Sequence, residues 1–303
     1  MGRALSQIER YDPADVSSTL RGLSMLGLEP HPDLLSGLLR HCIRSMGTFG
    51  PGNVSTSFRA LASLGIHPGQ DFINAMEERA VSEMERFLIN HVGNMLIAYT
   101  LLKIPPNPAL LMSMAEQVEA SLKHGWVEYG RVLSSQEISQ IHLFLLASEL
   151  EGWGDLDKEW SMAAREKLRN VVGGGQQGQI LAEANRMSGN KRQSQLLEDV
   201  VARLVRIFEH SFEKGVVDER SGYTIDVLGR PAVGDAGCTK GIAVEIGGAS
   251  YFCAGGQRPT GETRLKRRIL TAMGYRVVGI PYWIWDDLQE AEKDPFLQEM
   301  LKM

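Results

Sequence analysis

Tyr11, Phe49 and Phe87 stand 38 residues apart, and the apolar positions between them keep the same interval. Val16, Val54 and Val92 coincide. So do Leu20, Phe58 and Leu96; Leu26, Leu64 and Leu102; Leu28, Ile66 and Ile104; and Pro30, Pro68 and Pro106. Later in each unit Leu34, Phe72 and Leu110 align, followed by Leu35, Ile73 and Leu111. Apolar spacings of three and four mark one face of an α-helix. Each unit therefore reads as helix A, a turn ending near the shared proline, and helix B, with the proline breaking the backbone ladder between them. A helix pair cannot bury its own stripe completely, so such units stack into an α-solenoid. A fourth, shifted unit is expected from Leu133, with Ser134 or Ser135 as N-cap and Ile138, Ile141 and Leu145 on its apolar stripe. About eight inserted residues, placed around Gly125 to Arg131, account for the shift, and Leu156 to Val171 supply its helix B.

The rest of the composition narrows the class. No stretch approaches the roughly 20 apolar residues needed to span a membrane. Cys42, Cys238 and Cys253 have no paired spacing, which fits a reducing compartment and supports neither a disulfide framework nor a zinc site. The net charge is −5. From Val200 onward basic and acidic residues balance, so the acidic excess lies before it. Any nucleic-acid binding must then come from local basic and aromatic patches, not from the global field. The first ten residues carry an acid early and lack the Arg- and Ser-rich character of a transit peptide. Two readings follow: a cytosolic protein, or a gene model missing its leader.

After the repeats comes a Gly-rich stretch, Val172 to Gln179. Gly173, Gly175 and Gly178 fit G-x-G-x-x-G, but a charged helix precedes them and no βαβ unit follows, so a flexible joint is the better reading. Gln195 to Lys214 is an amphipathic helix, with Leu196, Leu197, Val200, Val201, Leu204, Val205 and Phe208 on its apolar side. Tyr223 to Leu228 and Ile242 to Ile246 read as strands, carrying Asp226 and Glu245. Burying Glu245 alone would cost several kcal/mol, roughly, so it needs a metal, a cation or a hydrogen-bonding network. A Gly-rich loop, Gly247 to Ser250, leads to Tyr251-Phe252. Glu262 to Met273 is a helix, with Leu265, Ile269, Leu270 and Met273 apolar and Arg264, Lys266, Arg267 and Arg268 as a basic surface. Gly274 ends it, Tyr275 to Ile280 is a strand stopped by Pro281, and Tyr282 to Asp286 is an aromatic cluster.

Val244-Glu245-Ile246 with its loop, Gly261-x-Thr263-x-Leu265-Lys266-Arg267-Arg268-x-Leu270, and Gly274-Tyr275-Arg276-Val277-Val278 leading to Ile280-Pro281-Tyr282-Trp283-x-Trp285 resemble the RAP domain. That module is found in proteins that act on organellar RNA. The resemblance implies a small relative of the PD-(D/E)xK nuclease fold, with an acidic residue on the preceding strand, where Asp226 stands. The family usually has Asp-Gly-Pro-x-His after the Glu strand; here Gly247 and Tyr251 occupy the Asp and His positions. A working PD-(D/E)xK site also wants a lysine two residues beyond the Glu, and that position is again Gly247. The 38-residue period resembles the octotricopeptide-type repeats that precede RAP domains in algal and protist organellar proteins.

These readings set the expectations. The fold class is α+β: an all-α solenoid over 1–171, a flexible linker over 172–194, and a small α/β restriction-endonuclease-like RAP domain over 195–303. The function is a non-catalytic RNA-binding adaptor in organellar RNA processing, stability or translation, in mitochondrion or plastid by the resemblance. One alternative is a metal-dependent RNA endonuclease in which Asp226 and Glu245 bind Mg²⁺ to activate water. Against it, Asp226 and Glu245 form a residual polar pair satisfied by Lys240, Arg264, Lys266, Arg267 or backbone amides. A second alternative is a protein-binding scaffold, with partners held by the solenoid. Single-stranded RNA would lie on the basic helix beside Tyr251, through Arg264, Lys266, Arg267 and Arg268. It would also meet a ladder on the A helices: Asp15 and Ser18, Asn53 and Thr56, His91 and Asn94, with Arg21 and Arg59 for phosphate or stacking. The competing view is that Asp15 and Asn53 simply cap their helices.

Overall fold

The computed structural model describes residues 7–123, 134–153, 159–172, 191–208, 212–229, 240–254 and 257–301. The chain is α+β: a helical region followed by a small four-stranded sheet. It divides into two compact units, one formed by Met1–Gln177 with Cys253–Glu262, the other by Gly178–Phe252 with Thr263–Met303.

In the first unit helix A and helix B alternate as the period requires. They are α1 (Pro13–Met25), α2 (Pro32–Ser45), α3 (Pro51–Ser63), α4 (Gln70–Ser82), α5 (Ile89–Leu102), α6 (Pro108–Lys123), α7 (Ser135–Leu150) and α8 (Glu159–Val172). Four of them start on proline, whose missing N–H costs nothing in a first helical turn. The A helices α1, α3, α5 and α7 pack side by side in a row. Val16, Leu20, Val54, Phe58, Val92 and Leu96 are buried on it. Short 3-10 turns at Ile8–Arg10, Met46–Thr48 and Met84–Arg86 also repeat at the 38-residue interval.

The turn between A and B is made differently from the sequence expectation. Helix A stops before the proline is reached. Gly27, Gly65 and Lys103 adopt the left-handed conformation (φ 64°, 66° and 59°) at equivalent places. The next amide then folds back: Leu28 donates to Leu23, Ile66 to Leu61 and Ile104 to Tyr99, at 2.8, 2.9 and 3.1 Å. This is a Schellman closure, which satisfies the last free carbonyls. Pro30, Pro68 and Pro106 are buried in the connection that follows.

Each unit carries one further contact that its residue letters hide. His41 Nε2 lies 2.8 Å from the Tyr11 carbonyl, Arg79 Nε donates to Phe49 at 2.8 Å, and Gln117 Nε2 donates to Phe87 at 2.8 Å. His41, Arg79 and Gln117 are 38 residues apart. Three unlike side chains thus offer one N–H to the carbonyl that precedes helix A.

The fourth unit starts where expected. Ser134 caps α7 in a capping box with Glu137. Of its expected stripe, Ile141 and Leu145 are buried and Ile138 is half-buried. Gly125 to Arg131, Gly173 to Gly178 and the greater part of the expected linker lie outside the described residues.

In the second unit α9 (Lys191–Phe208) packs Leu196, Val200 and Leu204 on the sheet. The strands are β1 (Phe212–Val217), β2 (Thr224–Gly229), β3 (Gly241–Gly247) and β4 (Tyr275–Pro281), in that spatial order. The first two pairings are antiparallel, and β3 and β4 are parallel, joined through α10 (Gly261–Ala272). Gly274 follows α10 with φ 95°, as its place at a helix end requires. Val227, Ile242, Val244, Ile246, Val278 and Ile280 form the core under α9, closed by Trp285, Leu297 and Leu301. One expectation is corrected: the helix expected over Gln195–Lys214 ends at Phe208, and Lys214 belongs to β1. The Tyr282–Asp286 cluster is helical, α11 (Tyr282–Asp287), with Trp285 buried. A last helix, α12 (Glu290–Met300), completes the unit.

Candidate functional site

The register of β2 on β3 pairs Val227 with Val244 and Leu228 with Ala243, which sets Asp226 opposite Glu245. On the other side Glu245 pairs with Gly279 of β4. One row across the sheet therefore reads Asp226, Glu245, Gly279. Helix α10 covers that row. Lys266 extends from it to form an ion pair with Glu245 Oε2. The guanidinium of Arg267 lies over Gly279, where an added Cβ would stand 2.4 Å from Arg267 Nη2. Two carboxylates thus face two cations.

The layer is deeply enclosed. Glu245 is 1% exposed and Lys266 7% exposed. Asp226 is half-buried, and its Oδ2 accepts the Ile246 amide at 2.7 Å. Burial pushes the Glu245 carboxyl up to about 7, with Asp226 adding repulsion and Lys266 opposing both. Burial likewise raises Asp226, against the pull of Lys266. Glu245 Oε1 and Arg267 Nε are buried without a hydrogen-bond partner. The strand end beyond Glu245 is closed by an aromatic ring. A Cβ on Gly247 would meet the Phe252 ring at 2.7 Å, and Phe252 packs edge-on against Trp283 at 4.3 Å.

These residues do not fit Mg²⁺. That ion demands near-octahedral oxygen ligation and keeps several of its waters. Here Lys266 takes Glu245 Oε2, a backbone amide takes Asp226 Oδ2, and two cations already balance the two carboxylates. Among the described residues no group of three or more His, Cys, Asp or Glu is placed to hold a metal.

The basic surface expected on α10 is only partly a surface. Lys266 is turned inward because the Glu245 charge, buried on β3, draws it there. Tyr251 is also inside, 4% exposed, and Thr263 donates to its carbonyl at 2.8 Å. Arg264 and Arg268 are half-buried.

Residues 244–300 match the RAP domain family. RAP domains are generally associated with RNA binding. The RAP segment runs from β3 through α10, β4 and α11 into α12, so it holds Glu245, Lys266, Arg267 and the ring pair. Asp226 lies before it.

In the helical unit the expected ladder divides in two. Positions 15, 53 and 91 are drawn into local or inter-helix bonds. Asp15 closes a capping box with Asp12, and Asn53 Nδ2 donates to Ser17 of the preceding helix A at 3.1 Å. His91 Nδ1 accepts the Leu88 amide at 3.2 Å, and burial holds that imidazole below its usual range. At positions 18, 56 and 94, Ser18 is exposed, Thr56 half-buried, and Asn94 half-buried with its Oδ1 accepting from Gln140 at 3.3 Å. Arg21 is exposed, whereas Arg59 is paired with Glu262 at 2.8 Å and donates to Ser63 at 2.6 Å. Sequence reasoning missed the donor series His41, Arg79 and Gln117, since only its 38-residue spacing could have revealed it. No helix among the described residues is long and apolar enough to cross a membrane.

Proposed function

We propose that this chain is a non-catalytic RNA-binding adaptor acting in organellar RNA metabolism, in processing, stability or translation. The observation that carries the reading is the RAP match over residues 244–300. The 38-residue helix pairs, taken as octotricopeptide-type repeats, supply the surface that selects a single-stranded segment. Ser18, Thr56, Asn94 and Arg21 are its contacts with RNA, and the RAP segment adds affinity through Arg264 and Arg268. The non-catalytic part is supported by the paired and enclosed state of Glu245 and by the ring over Gly247. A mitochondrial or plastid location belongs to the same proposal.

The test is a gel-shift titration of single-stranded RNA at several salt concentrations, with and without Mg²⁺. Binding that weakens with salt while the RNA stays intact supports the adaptor. Mg²⁺-dependent cutting that disappears in Asp226→Ala would replace it with the nuclease. Absence of any shift would leave the helical unit as a protein-binding scaffold. Cell fractionation checks the organelle.

A further inference from the structure

The segment Cys253–Glu262 belongs to the first compact unit, although the chain reaches it only after the whole helical array. Its described residues are tied to the C-terminal ends of α1 and α3. The Ala254 amide donates to the Gly27 carbonyl at 2.8 Å. Arg258 pairs with Glu29, and its Nη1 donates to the Leu64 carbonyl. The Cys253 amide donates to the Arg258 carbonyl at 2.8 Å, which folds the segment on itself. Gly261 lies so close to the end of α3 that a Cβ there would stand 2.5 Å from the Ala62 carbonyl oxygen. That approach seats Glu262 on Arg59. The carboxylate Oε1 is 2.8 Å from Arg59 Nη1 and accepts from Ser63 Oγ at 2.9 Å.

The receiving groups are not those of every repeat. His67 and Pro105 stand in the later units where the first has Glu29, and Met25 and Leu101 stand where the second has Ser63. Arginine recurs once at the position of Arg59, as Arg21 on α1, and Ile97 takes that place on α5. Arg21 and Arg59 lie one turn beyond Ser18 and Thr56, on the same face of their helices. Arg21 is exposed, whereas Arg59 is covered by Glu262. A guanidinium and a hydroxyl that hold a carboxylate can hold a phosphodiester oxygen in the same way, because the arginine fork matches both anions. The pair is also open to exchange. The Arg59 and Glu262 side chains keep 25% and 37% of their surface, and ion pairs so exposed are weak.

We propose that Glu262 masks Arg59, a phosphate-binding residue for single-stranded RNA, so that RNA and the segment Cys253–Glu262 compete for one site. The proposal rests on the RNA-binding reading above. It adds Arg59 to the row of Ser18, Thr56, Asn94 and Arg21 as a contact that the chain itself covers until RNA arrives. Binding exchanges one ion pair for another and lifts the segment from Gly27 and Leu64.

The test is an anisotropy titration of the full chain with a fluorescently labelled, random-sequence single-stranded RNA. Glu262→Gln should tighten binding about threefold, the scale of a weak ion pair removed from competition. It should also steepen log affinity against log salt by about one, the mark of one further phosphate contact. Arg258→Ala should tighten binding too, against the loss of a positive charge, because it loosens the segment without touching Arg59. With Arg59→Ala already in place, neither change should tighten anything, whereas a general charge effect of Glu262→Gln would persist. The unsubstituted chain supplies a second readout: saturating RNA should speed hydrogen exchange at the Ala254 amide. RNA binding that ignores both substitutions, gains that survive Arg59→Ala, or an Ala254 amide that RNA leaves protected would overturn the mask and leave the adaptor standing. No binding by any variant overturns the adaptor and the mask together.

Discussion

Lys103 is the one residue other than glycine with positive φ among the described residues. It closes α5 where Gly27 and Gly65 close α1 and α3. An L-residue there carries roughly 1–2 kcal/mol of backbone strain, while glycine gives back part of that through its freer unfolded chain. Lys103→Gly should therefore stabilise the helical unit by about 0.5 kcal/mol, read as a rise in the urea midpoint. Glu245 sets a second residue-scale expectation. Its carboxyl is raised to about 7 from 4.5, so the native unit keeps that proton after the unfolded chain has lost it. Stability from this group is full below 4.5 and falls as pH rises toward and through 7. Hydrogen exchange of the Ala243–Ile246 amides should speed up over that interval, and Glu245→Gln should flatten the trend. Lys266→Met removes the counter-charge and should cost about 3–5 kcal/mol at pH 7.5, much less at pH 5 where Glu245 can hold its proton.

At the scale of elements, the donor series is the most exacting contact. Replacing Gln117 by Leu leaves the Phe87 carbonyl without its donor and should destabilise the helical unit by about 1–3 kcal/mol. His41→Gln should cost far less, because an amide N–H reaches the same carbonyl; thermal melts of the two variants compare them. The A and B helices were legible because Val16, Val54 and Val92, with their partners, repeat with a helical spacing. Strand β3 was legible from a short Val- and Ile-rich run, interrupted only by Glu245. β1 was not, because Phe212-Glu-Lys-Gly is charged and, among the described residues, pairs with β2 alone at the sheet edge. α12 was hidden by Pro295 and by its reliance on distant charges: Arg203 donates to Asp294 at 2.8 Å, and Lys293 donates to Asp199 at 3.3 Å. The pairing of Asp226 with Glu245 was implied by the resemblance to the RAP domain, which puts an acidic residue on the strand before Glu245, and the β2–β3 register agrees with it. Lys266 was one of several partners expected for that pair, beside Lys240, Arg264 and Arg267, and a contact 21 residues away leaves no mark in local spacing to choose between them.

For the whole molecule, charge decides how RNA binding should respond to its medium. A chain of net charge −5, with its acidic excess in the helical part, cannot rely on a long-range field. The salt dependence should be shallow, and Arg21→Ala should reduce the slope of log affinity against log salt by about one, measured by titration at several ionic strengths. The bonds from His41, Arg79 and Gln117 lie inside single units, each joining residues 30 positions apart. Whatever copies or deletes one whole unit therefore carries the bond along intact. Ancestry can erase the letters at that site, since selection there sees only a proton on nitrogen. Lengthening by duplication becomes an inherited option of the array, and kinship between distant arrays is better sought in such donor positions than in residue identity.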